Sequence, residues 1–221
     1  MSPTSDQPEI ELDAEEQARA NFYALLARLF YAPPDDRFLR NIATSDDDEQ
    51  PSGTAGSLDM AGTIEAAVSP DATSLDTTWR NLVSAAASAD QAEVADEYNS
   101  LFVGSGRSEI SLYVGAYTAR SSVDTKLVAL REFLTAHGIQ RQAAVHEPED
   151  HLAMLFEVMR YLINEQPENI EEQKFFFDSF VWSGGTALCN AITMHAGASF
   201  FTHVAAFAKS FLLVEHDAFQ M

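Results

Sequence analysis

Apolar residues recur at three- and four-residue spacing along most of this chain, and strictly alternating stretches are scarce. That pattern predicts helices rather than strands. Phe22, Leu25, Leu26, Leu29 and Phe30 share one face of a first helix. Asp13 followed by Glu16 reads as its capping box, and Pro33 and Pro34 stop it. A short helix is predicted over Asp36–Ile42, another resumes near Thr63, and a longer one covers Asp76–Ala89 with Trp79, Leu82, Val83 and Ala86 inward. Asp90 caps the next, which ends in EYNSLFVGSG and puts Tyr98, Leu101 and Phe102 on one face. Residues 108–120 have no helical period and read as an irregular connector presenting Tyr113 and Tyr117. Further helices are predicted over 122–137, with Leu127, Leu130 and Leu134 inward and Gly138 as terminator, then over the stripe Leu152 to Ile163. Glu168–Trp182, Thr186–His195 and Ala198–Glu215 follow. The sum is an all-α protein, a single globular bundle of about nine to ten helices spanning residues 13–221.

Two stretches stand outside this pattern. Residues 1–12 read as a disordered acidic tail, and 44–58 (TSDDDEQPSGTAGSL) as a mobile acidic loop with almost nothing to bury. The tail has neither the apolar core of a secretory signal nor the basic character of a transit peptide. No uninterrupted apolar run reaches the ~20 residues a membrane span needs.

Charge narrows the function classes. The formal net charge is −21, with 34 acidic residues against 13 basic ones. Such a field repels phosphate backbones and anionic membrane surfaces, and it draws in basic peptides. It suits a salt-adapted host equally well. Cys189 is the only cysteine, so no internal disulfide forms and no multi-cysteine zinc set exists within the chain. These features predict a cytoplasmic protein with no nucleic-acid partner and no stable membrane insertion.

The stretch HEPEDHLAMLFEVMRYLI, starting at His146, concentrates the candidate chemistry. Pro148 fits the first turn of a helix, and Glu149 and Asp150 then sit where the helix dipole favours anions. A metal reading pairs His146 with Asp150 and Glu147 with His151, each four residues apart. An acid–base reading uses the carboxylates beside His151, but no glycine-elbow serine, phosphate loop or dinucleotide fingerprint accompanies them. A fourth reading makes the cluster the polar edge of an apolar groove that takes a peptide.

The segment EPEDHLAMLFEVM resembles the Glu-Pro-x-Asp-His signature of the TorD/DmsD/NarJ-type redox-enzyme maturation chaperones. DEYNSLFVG, about fifty residues upstream, resembles that family's acidic-Tyr-x-x-Leu-Phe-x-Gly segment. The opening helix RANFYALLARLFYAPP and the closing region FFFDSFVWSGGTALCNAI are similar as well. The chain departs from the family in a proline-free connector and in Val181-Trp182, where Pro-Trp is common.

The resemblance implies a TorD-like helical chaperone, not an enzyme, with no cofactor of its own. Its partner would be the catalytic subunit of a molybdopterin-containing oxidoreductase, engaged through an N-terminal twin-arginine signal peptide and held until cofactor insertion. Carried over by motif, Glu147, Pro148, Asp150 and His151 form the binding region, and Tyr98, Leu101 and Phe102 line or support it. Tyr113 and Tyr117 are added from their place in the connector. The alternatives are a nitrate-reductase-type assembly factor whose client lacks a cleaved signal, and a metal-dependent hydrolase using Glu147, Asp150 and His151. Both a monomer and a swapped dimer are compatible with such a bundle.

Overall fold

The computed structural model describes residues 12–45, 70–104, 108–118, 120–139 and 148–221. Apart from Leu12, Thr44 and Ser45, the expected tail and acidic loop lie outside the described residues. So do the helix expected near Thr63, Gly106, and His146 and Glu147. The described residues form α-helices, two π-helical turns and one 3-10 turn, with no strand among them.

Helix α1 (Ala14–Tyr31) starts at the predicted capping box. The Asp13 carboxylate accepts from Glu16 N–H at 2.8 Å, and Glu16 accepts from Asp13 N–H at 3.2 Å. Asp35 caps the short α2 (Asp36–Ala43), and α3 covers Pro70–Ser88. Helix α4 (Gln91–Tyr98), capped by Asp90, runs directly into a π turn at Asn99–Val103. Gly104 ends it with φ 62°, a left-handed conformation glycine adopts without strain. The connector then forms a 3-10 turn at Val114–Tyr117.

Helix α5 (Arg120–Ala136) closes on a Schellman pattern. Gly138 N–H reaches the Thr135 carbonyl, Ile139 N–H reaches the Leu134 carbonyl, and Gly138 has φ 64°. Helix α6 spans Leu152–Glu165. The two helices predicted over 168–195 are one continuous run: α7 (Ile170–Phe176), a π turn at Phe177–Val181, and α8 (Trp182–Thr193). A π turn inserts one residue, so the inward face shifts in phase, and a 3.6-residue period reads that shift as a break. Helix α9 (Phe200–Ala218) completes the fold.

Packing follows the apolar stripes. α1 lies along α6, and α9 packs against both α3 and α8. Leu152, Leu155, Phe156, Met159, Leu162 and Ile163 are all buried, which makes α6 the central helix. Each such side chain contributes roughly 1.5–3 kcal/mol relative to exposure. Phe22 joins the layers, with ring centroids 5.2 Å from Phe207, 5.4 Å from Phe211 and 6.2 Å from Trp79. Trp79 is buried as expected, whereas Trp182 is half-buried and stacks on His216 at 4.1 Å. Cys189 is fully buried, and burial pushes its thiol up to about 12, so it is a core residue and not a nucleophile.

Candidate functional site

The connector and the start of α6 pin each other. Leu152 N–H donates to the Leu112 carbonyl at 2.9 Å, and Val114 N–H donates to the Asp150 carbonyl at 3.0 Å. Between these bonds Tyr113 and His151 form an isolated antiparallel bridge. The helix therefore begins later than its composition predicts. Pro148, Glu149 and Asp150 form a turn ahead of it, and His151 is the N-cap. Proline followed by two acids suits a first helical turn and a pre-helical turn alike. The strand-like bridge to a segment thirty-eight residues away decides between them, and local propensity carries no sign of it.

His151 is 4% exposed. Its Nδ1 accepts from Ala153 N–H at 3.2 Å, which places the proton of the neutral ring on Nε2. The Tyr113 ring meets it edge-on at 5.3 Å. His151 thus joins helix to connector from the inside. Asp150, next to it, turns to a different surface: its Oδ2 accepts from Gly115 N–H at 3.2 Å, and the side chain lines a cleft. A Cβ on residue 115 would stand 2.7 Å from that oxygen, so any larger residue would push the Asp150 carboxylate aside.

The cleft is shallow and open to solvent, with about 410 Å³ of space between its walls when the open solvent is included. Val123, Lys126, Leu127 and Leu130 of α5 form one wall. Ser179, Phe180, Ser183 and Gly184, from the second π turn and α8, form the other. The 3-10 turn supplies Val114 and Gly115 at its floor. Gly184 permits this closeness, because a Cβ there would meet the Val114 Cβ at 2.5 Å. The apolar end is extended by aromatic contacts, with Phe133 6.2 Å from Phe180 and 6.0 Å from the exposed Phe175. Two charges border it, Asp150 and Lys126. Aliphatic walls with a few convergent polar groups are the composition of a ligand site.

The other predicted site residues are distributed as follows. Pro148 is exposed in the turn, and Glu147 lies outside the described residues. Tyr113 and Tyr117 flank the residues of the 3-10 turn that line the cleft, and the Tyr117 hydroxyl donates to the Ser111 carbonyl at 3.0 Å. Burial, and to a smaller extent the nearby Cys189, hold Tyr117 above its ordinary value. Tyr98, Leu101 and Phe102 are buried away from the cleft lining. Tyr98 and Phe102 pack around Phe201 at 5.6 and 5.2 Å, and the Tyr98 hydroxyl donates to the Phe30 carbonyl.

The acidic residue of that segment has a structural task. Glu97 accepts from the N–H groups of Ser199, Phe200 and Phe201 at 2.8 to 2.9 Å, capping α9 from another helix. Asp150 alone of the cleft lining is among the predicted site residues; the α5 wall, the floor at Val114 and Gly115, and the whole second wall are missed. The adjacent Gly184 and Gly185 inside an apolar helical run are the readable sign of close backbone approach there. Among the described residues no group of three or more His, Cys, Asp or Glu is placed to hold a metal ion, and no helix is long and apolar enough to cross a membrane.

Comparison with known proteins adds an independent line. Residues 69–184 match the model of the family described as nitrate reductase delta subunit. That span covers α3 through the start of α8, and so nearly every element around the cleft. The proteins named chaperone protein TorD from three strains of Vibrio cholerae serotype O1 are 34%, 34% and 33% identical over 73 residues. The aligned stretch spans 33% of this chain and 33% of each relative. With more than half of its length matched by the family model, the chain belongs to the nitrate reductase delta subunit family, the TorD/NarJ-type redox-enzyme maturation chaperones that its Glu-Pro-x-Asp-His segment resembles.

Proposed function

We propose that this protein is a cytoplasmic, client-specific chaperone that binds the catalytic subunit of a molybdopterin-containing oxidoreductase through a basic, apolar segment such as a twin-arginine signal peptide. The observation that carries this reading is the Asp150 carboxylate at the edge of an aliphatic and aromatic cleft. One of its oxygens holds a single amide, which leaves acceptor capacity for a guanidinium. The walls then bury the apolar residues that follow the arginines, at about 25 cal/mol per Å² before ordering costs. The relatives' name, chaperone protein TorD, supports the same role. Pro148 and Tyr113 belong to the rim in this account, and Glu147 joins the binding region by its motif alone. His151 and Tyr117 hold it in shape, Tyr98, Leu101 and Phe102 belong to the core away from it, and the protein catalyses no reaction there.

A calorimetric titration tests this with a peptide of Arg-Arg followed by a leucine–alanine tract. Binding in the micromolar range, about −8 kcal/mol, is expected. Asp150→Asn keeps an acceptor for the Gly115 amide and removes only the charge. It is expected to weaken binding about tenfold with an unchanged melting curve. Equal affinity for the two proteins would sink the contact role. The description of the matching family favours a second reading, an assembly factor for a nitrate-reductase-type subunit. In that case the purified subunit binds equally well with and without its first residues.

A further inference from the structure

The cleft contains a cation beside the anion that its proposed use requires. Lys126 is the only basic residue among those lining the cleft. It is exposed, makes no ion pair among the described residues, and is one of three lysines in a chain of net charge −21. Its position along α5 relates it to Asp150. The site of a Gly115 Cβ is 2.7 Å from Asp150 Oδ2 and 3.5 Å from Val123 Cγ1, so the carboxylate oxygen lies within about 6 Å of the Val123 side chain. Lys126 is three residues further on, on the same face, about one turn or 5 Å along the axis. A lysine stem spans that separation, and its ammonium is free to enter the carboxylate's field.

Resting on the reading above, we propose that Lys126 is the resident counter-charge of the Asp150 site, a built-in competitor that a client's cation must displace. With the cleft empty, the ammonium screens Asp150 from the arginines and lysines of other chains, which the strongly negative field would otherwise gather. A basic, apolar client displaces it because the walls bury its apolar residues in the same event. A merely basic peptide lacks that second contribution and is rejected. The lysine therefore sets specificity by lowering affinity, which also keeps release possible.

The expected effect has the sign opposite to that of an ordinary contact. At low ionic strength Lys126→Ala tightens binding of the Arg-Arg peptide about fivefold, and the gain shrinks below about twofold near 0.5 M salt. In the Asp150→Asn background the same substitution changes affinity less than about twofold, because no carboxylate remains to compete for. A Gln-Gln version of the peptide shows no gain. Unchanged or weaker binding by Lys126→Ala would overturn the inference, and so would equal tightening in both backgrounds. The wild-type titration separates this failure from that of the functional reading. If wild type binds and Asp150→Asn weakens it while Lys126→Ala does nothing, only the counter-charge falls. If wild type binds no basic apolar peptide at all, both fall.

Discussion

Arg19→Met is expected to destabilise the protein by about 3–5 kcal/mol in urea denaturation, although Arg19 is not among the residues that line the cleft. Its guanidinium makes a two-pronged pair with Glu215, at 2.7 Å from Nε to Oε1 and 3.0 Å from Nη2 to Oε2. Glu215 is 2% exposed. It also accepts from the Tyr23 hydroxyl at 2.9 Å, while Arg19 donates to Gln173 and lies 5.4 Å over the Phe219 ring. The network joins α1, α7 and α9. Burial holds Tyr23 well above its ordinary value, and the Glu215 carboxylate adds to this. Burial alone would lower the Arg19 value, and Glu215 outweighs it, so the guanidinium stays charged.

Removing Arg19 leaves a buried carboxylate facing a phenol and nothing positive. That uncompensated charge is the source of the loss, so the double variant Arg19→Met, Glu215→Leu should regain most of the stability. If the double variant is no better than the single one, lost packing and not the stranded charge explains the cost. Alkaline pH probes the same region. Tyr23 titrates near 10 when unfolded and higher when folded, so its contribution is intact below pH 10 and declines as pH rises through the folded value.

Glu97→Ala is the second large effect, about 2–4 kcal/mol. Three backbone amides at the start of α9 converge on this carboxylate, and α9 carries the buried Phe201, Phe207 and Phe211 of the aromatic core. Alanine leaves those amides to solvent or unpaired and removes the anion from the positive end of the helix. Glu97→Gln retains one acceptor and is expected to lose about half as much. Chemical denaturation resolves both, and a melting curve unchanged by Glu97→Ala would show that the three bonds add nothing. This interaction also explains the acidic position of the DEYNSLFVG segment without any contact to a client.

Legibility in the sequence follows the range of each interaction. The Asp13–Glu16 box, the stop at Pro33, the stripe from Leu152 to Ile163 and the Gly138 terminator depend on residues within a turn or two, and each is where local pattern puts it. The π turns at Asn99–Val103 and Phe177–Val181 were not legible, because one inserted residue mimics a helix boundary. Asp150 was legible as a candidate, since a carboxylate between Pro148 and a long apolar helix stands out. Its partner Gly115 was not, because that pairing depends on a bridge between distant segments. The roles of Glu97, Tyr98 and Phe102 were hidden for the same reason: each depends on α9, roughly a hundred residues on.

The account rests on the cleft between α5 and the second π turn as the place where a basic, apolar segment docks. Amide hydrogen exchange with and without the Arg-Arg peptide tests that most directly. Slowed exchange is predicted in 114–118, 123–130 and 179–184, and loss of that protection in Asp150→Asn. Protection confined to 91–104 or to α9, with the cleft walls unchanged, would contradict it.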